Sequence, residues 1–113
     1  MSTPASATAG DDALIVFVSC PTEAADRIAG LLVEQRCAAC VSLLPGMRSV
    51  YRWQGTIERS DESLLLCKTV ASRYEALERL LRERHPYELP EIVAVKLQTG
   101  LPDYLQWLHD NSH

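Results

Sequence analysis

An excess of positive charge is missing from this chain. Its 113 residues carry 11 Lys and Arg against 15 Asp and Glu, a net charge of −4. A surface that neutralises phosphates shows the opposite balance, so nucleic acid is excluded as the main partner. An anionic membrane surface likewise finds little to attract it. Long hydrophobic runs are missing too. Ala13–Val18 and Ile92–Val95 have strand length, well short of the roughly 20 apolar residues a membrane span needs. Glycine is scarce, five in all, and Gly55 and Gly100 stand alone. No loop is therefore equipped to cradle phosphates. There is no G-x-S-x-G, no P-loop and no H-E-x-x-H, and without a nucleophile or base in a known setting the chain is expected not to be an enzyme.

Hydrophobic residues make up 47% and charged residues 23%, which is ordinary for one globular domain and rules out a disordered chain or a coiled coil. The first twelve residues have neither a basic n-region nor an apolar h-region. They read as a disordered tail rather than a signal peptide, with a single domain over 13–113. On that reading the protein is expected in the cytoplasm, where Cys20, Cys37, Cys40 and Cys67 would stay reduced.

Ala13–Cys20 is a near-continuous apolar run, the mark of a strand central in a sheet. Pro21-Thr22 ends it and offers Thr22 as a helix N-cap. Ala25, Ile28, Leu31 and Leu32 recur at helical spacing, so Glu23–Arg36 is an amphipathic helix. A long strand, Cys40–Trp53, follows, bent at Pro45-Gly46. Gln54-Gly55 turns it back into a second, Thr56–Val70. Ser72-x-x-Glu75 reads as a capping box opening a second helix, which must stop before Pro86. Arg73, Arg79, Arg82 and Arg84 interleave there with Glu75, Glu78 and Glu83, a solvated helix face. Glu91–Leu97 is a fourth strand, and Gly100-Leu-Pro102 opens a short C-terminal helix. The order β-α-β-β-α-β plus a tail helix predicts an α+β, ferredoxin-like split-βαβ fold.

One feature exceeds what that fold needs. Two strands of about 14 residues reach ~45 Å, and a helix of about 13 residues covers only ~20 Å. Over half the hairpin must project beyond its helices. Its tip carries Met47, Val50, Tyr51, Trp53 and Ile57 instead of the lysines of a solvent edge. Such a ribbon is marginal alone, which predicts an obligate oligomer.

Two groups of residues have the chemistry of a site. Cys37-x-x-Cys40 has redox spacing, but it follows a helix instead of starting one and so lacks the dipole that activates a thiolate. Buried structural thiols are the expectation. The second group arises from topology. The last strand of a split βαβ lies antiparallel to the first, so Cys20 ends near His85-Pro-Tyr-Glu-Leu-Pro-Glu91. A thiol, an imidazole and the carboxylates of Glu88 and Glu91 there suit copper or zinc. The competing readings are a buried Cys20, a His85 that caps its helix end, and a small-ligand pocket.

Ala38-Ala-Cys-Val41, Val50-Tyr-Arg-Trp-Gln-Gly55, Lys68-Thr69, His85-Pro-Tyr-Glu-Leu-Pro-Glu-Ile92 and Tyr104-Leu-Gln-Trp107 together resemble the CutA divalent-cation-tolerance proteins, over nearly all of Leu14–Leu108. The resemblance implies a ferredoxin-like homotrimer similar to the PII signalling proteins. It also implies a role in tolerance of copper(II) or other divalent cations, with Cys20 and His85 as copper ligands completed by Glu91 or Glu88. Some relatives carry a histidine just before the matching His85; in this chain the position is Arg84. Tyr51, Trp53, Glu62, Lys68, Tyr87, Glu91 and Trp107 match signature positions, and the resemblance places them in intersubunit clefts. A small anionic metabolite or a partner protein is the alternative occupant of those clefts.

Overall fold

Strand alternation positions everything that follows. In this computed structural model, which describes residues 10–113, β1 (Ala13–Cys20) is flanked by β3 (Thr56–Val70) and β4 (Ile92–Lys96), both antiparallel to it. The sheet order is β2-β3-β1-β4, with β2 (Cys40–Trp53) on the outer edge. Val16, Val18 and Cys20 point to one face with Leu65 and Cys67. There they meet Ala25, Ile28 and Leu32 of α1 (Thr22–Glu34) and Leu77 and Leu81 of α2 (Tyr74–Arg84). Each of these fully buried aliphatic side chains contributes about 1.5–3 kcal/mol. This is the split-βαβ arrangement, an α+β fold with a third helix, α3 (Pro102–Asp110), at the end of the chain.

The other sheet face has much less cover. Phe17, Leu64 and Leu66 alternate onto it and are half-buried, and Val93 and Val95 on β4 remain about half exposed. β1 pairs with β3 only from Ala13↔Val70 to Cys20↔Ser63, so Thr56–Glu62 have β2 as their sole strand partner. About seven residues per strand, ~23 Å, therefore project as a two-stranded arm. The molecule measures 54 Å along its long axis and 25 Å across. Val50, Tyr51 and Ile57 on the arm are exposed.

The bends are where the turn residues put them. The pairing slips between Leu44 and Met47, where Gly46 has φ +82°, a bulge that Pro45 tolerates because β2 is an edge strand. Gln54 and Gly55 both take positive φ, the two-residue hairpin turn whose twist matches its strands.

Three local expectations are corrected. Thr22 is the first residue of α1 and does not cap it; its hydroxyl accepts a hydrogen bond from Ser63 (3.1 Å). The Ser72 capping box does not form. A 3-10 turn, Ala71–Arg73, precedes α2, and Ser72 gives its amide (2.8 Å) and hydroxyl (2.7 Å) to the Asp11 carboxylate. Ser72 lies inside that turn and the N-cap position falls on Arg73, so its oxygen is not placed to accept from the first amides of α2. Asp11 and Asp12, drawn into the N-terminal tail from sequence, are thus tied to the domain, Asp12 through its carbonyl to the Ala71 amide (2.8 Å). The rest of that tail up to residue 9 lies outside the described residues.

Candidate functional site

The arm leaves the sheet beside the segment between α2 and β4, and the two enclose an open cleft of about 730 Å³. Its lining includes Ser19, Tyr51, Arg52, Trp53, Glu62, Tyr87, Glu88 and Glu91. Period-two alternation decides which end of β1 contributes. Cys20 turns into the helix-side core and is fully buried, whereas Ser19, on the opposite face, enters the cleft and donates to Glu91 Oε1 (3.3 Å). Sequence reasoning placed Cys20 at this site and overlooked Ser19. The available signal was parity, since adjacent strand residues cannot share a face.

His85, which caps the end of α2, is 7% exposed and has both ring nitrogens committed. The Tyr87 backbone N–H donates to Nδ1 (3.1 Å), so Nδ1 carries no proton. Nε2 therefore carries it and donates to the Ser19 carbonyl (2.8 Å). Two backbone partners, one a donor and one an acceptor, leave a single neutral tautomer compatible with the geometry. The Tyr87 ring, packed against His85 with centroids 4.8 Å apart, sends its hydroxyl to Glu62 Oε2 (2.6 Å). Burial, followed by that hydrogen bond and the charge of Glu62, raises the Tyr87 pKa. Tyr87 thus stays a phenol and a donor. Imidazole, phenol and Ser19 together fix Glu62 and Glu91 at the root of the arm.

The proposed copper ligands are not gathered into a coordination sphere. Burial first, then the charge of Glu62, raises the Cys20 pKa, and His85 would have to release a backbone partner before presenting a nitrogen lone pair. Among the described residues, the one set of three ligand-type atoms within 4.8 Å of one another lies elsewhere. The Cys20–His85–Glu91 donor set therefore does not fit a preformed metal centre. Of the residues matching signature positions, Tyr51, Trp53, Glu62, Tyr87 and Glu91 converge on the cleft. Lys68 does not line it within one chain; it pairs across β2 and donates to Ser42 Oγ (2.6 Å). Trp107 lies on α3, stacked on Tyr104.

The thiols behave as core atoms. Burial raises the pKa of Cys37, and that of Cys67 is pushed up to about 12, again chiefly by burial. A disulfide reagent at neutral pH is expected to react quickly with no more than one thiol per native chain, the half-buried Cys40, and with all four after denaturation. Two fast thiols in the native protein would restore the redox reading of Cys37-x-x-Cys40.

A split-βαβ domain with a projecting β-arm and a cleft at the root of that arm defines a class of ferredoxin-like proteins that includes PII-like ones. The family described as CutA1 divalent ion tolerance protein matches residues 14–111, and the chain belongs to it. It is 43% identical over 99 residues to the divalent-cation tolerance protein CutA of Thermus thermophilus, covering 87% of this chain and 96% of that protein. It is 46% identical over 94 residues to the mouse protein CutA, covering 82% of this chain. The matched region spans about half (53%) of the mouse protein. Two solved structures are similar throughout. CutA from Xylella fastidiosa superimposes with a TM-score of 0.87 at 45% identity, covering 90% of this chain and 99% of that one. A protein from Nostoc described as PII-like CutA gives 0.84 at 35%, covering 88% and 97%. No helix among the described residues is long and apolar enough to cross a membrane.

Proposed function

We propose that this chain acts without catalysis, as a homotrimer, in the response to divalent metal ions, and that the cation is met by the carboxylates of the arm-root cleft. The carrying observation is the cleft's charge: Glu62, Glu88 and Glu91 line it against Arg52 alone. Oxygen donors of this kind suit hard divalent cations and accept copper(II). Family membership supports the tolerance role. The half-covered sheet face and exposed apolar arm support assembly, since obligate interfaces look like a domain core cut in half. Four free cysteines support a reducing compartment, the cytoplasm.

Copper(II) titration by calorimetry tests the site. Glu88→Gln/Glu91→Gln is expected to weaken binding at least tenfold, whereas Cys20→Ala leaves it within about twofold. Loss of affinity on Cys20→Ala with no effect of the glutamines would return the site to thiolate and imidazole. The alternative occupant, a small anionic metabolite, is served less well, because Lys68 faces Ser42 rather than the cleft.

A further inference from the structure

We propose a second, separate cation site, built from Asp11, His109 and His113, for a divalent ion of the zinc class. Among the described residues this is the one set of three ligand-type side chains whose donor atoms all lie within 4.8 Å of one another. Asp11 Oδ2 is 3.8 Å from His109 Nε2 and 3.6 Å from His113 Nε2. Donors around a four-coordinate zinc ion, with bonds of about 2.0–2.1 Å, sit roughly 3.3–3.4 Å apart. The two Asp11 edges are within a few tenths of an ångström of that spacing, and the third, between the two imidazoles, is no longer than 4.8 Å, so side-chain rotation closes a coordination triangle with a fourth position left for water. Two imidazoles and one carboxylate favour a borderline cation over calcium or magnesium.

The supporting shell is already in place. Ser72 holds both oxygens of Asp11 through its amide and hydroxyl, and each oxygen keeps a second lone pair. Two hydrogen bonds from Ser72 favour the ionised carboxylate, the form in which Asp11 would act as a ligand. The far nitrogen of His109, Nδ1, lies 3.7 Å from Asp110 Oδ1, close enough for the carboxylate's charge to favour the ring but beyond hydrogen-bond distance. The Arg36 side chain donates to the His113 carbonyl and anchors that residue.

This site is independent of the arm-root cleft. Asp11 and His113 lie outside residues 14–111, the span that the family match covers. An ion there would clip the segment leading into β1 to the end of α3. Closing so long a loop restrains the unfolded chain, so the bound ion should raise the melting temperature.

Zinc alone, titrated into the metal-free full chain, provides the test. Wild type is expected to take up one equivalent that His109→Gln/His113→Gln lacks and that Glu88→Gln/Glu91→Gln retains. Asp11→Asn is expected to weaken that equivalent at least tenfold, and Ser72→Ala several-fold. Zinc should raise the melting temperature of wild type but not of the double-histidine variant. Cobalt(II) should give a four-coordinate visible spectrum that the same variant abolishes. No zinc uptake by wild type, or equal uptake by wild type and the double-histidine variant, would overturn the proposal. Loss of that equivalent in the Glu88/Glu91 variant alone would do the same. Should the double variant fold poorly by circular dichroism, His113→Ala, at an exposed position, reads the same equivalent.

Discussion

A chain carrying Val93→Lys and Val95→Lys is expected to sediment as a single 12.6 kDa particle, and the unaltered chain, as the proposed homotrimer, at three times that mass. Within one chain these valines are about half exposed, so lysine there costs the fold little, on the order of 0.5 kcal/mol. They lie on the sheet face opposite α1 and α2, beside Phe17 and Leu66 in the β1–β3–β4 register. If copies of the chain cover that face, each lysine becomes a buried, unpaired charge, and one such charge costs about 3–5 kcal/mol. Three copies multiply the penalty. Circular dichroism should show the fold intact while the assembly is lost. Val50→Lys/Ile57→Lys applies the same test to the arm, where both residues lie on one ribbon face. A threefold mass in both variants would rule out these surfaces as the interface.

Replacing His85 with alanine is expected to destabilise the protein by about 2–4 kcal/mol. The substitution leaves the Ser19 carbonyl and the Tyr87 amide without partners, and each orphaned buried group costs about 1–3 kcal/mol. His85→Phe separates the causes, because it keeps a ring against Tyr87 but supplies neither hydrogen bond. A loss close to that of alanine would assign the effect to hydrogen bonding. Recovery of most of the stability would assign it to packing. Urea unfolding is the measurement, with the midpoint moving and the slope unchanged. Full stability in His85→Ala would contradict a structural role for the imidazole.

Much of the architecture was legible because it is written in local pattern. The unbroken apolar run of Ala13–Cys20 marked the central strand, the spacing of Ile28 and Leu32 marked α1, and Pro45-Gly46 and Gln54-Gly55 marked the bulge and the turn. Counting residues was enough to foresee the arm, since 14 strand residues outreach a 13-residue helix. Site residues were read less well. His85 and Glu91 were expected beside the end of β1, where both contact Ser19, but topology alone could not say which neighbour on β1 faced them.

Period, length and turn chemistry are near-neighbour properties, and the sequence by itself determined the element order, the split-βαβ class and the projecting hairpin. Only the tertiary structure decided that Ser19 rather than Cys20 enters the cleft. It alone showed that His85 spends both nitrogens on backbone groups, and that Asp11 draws Ser72 away from its helix to stand beside two histidines from the far end of the chain. The reason is physical. A side chain's partner in a hydrogen bond or a coordination sphere is set by strand register and by which distant segments meet, and neither is encoded in the residues adjacent to it.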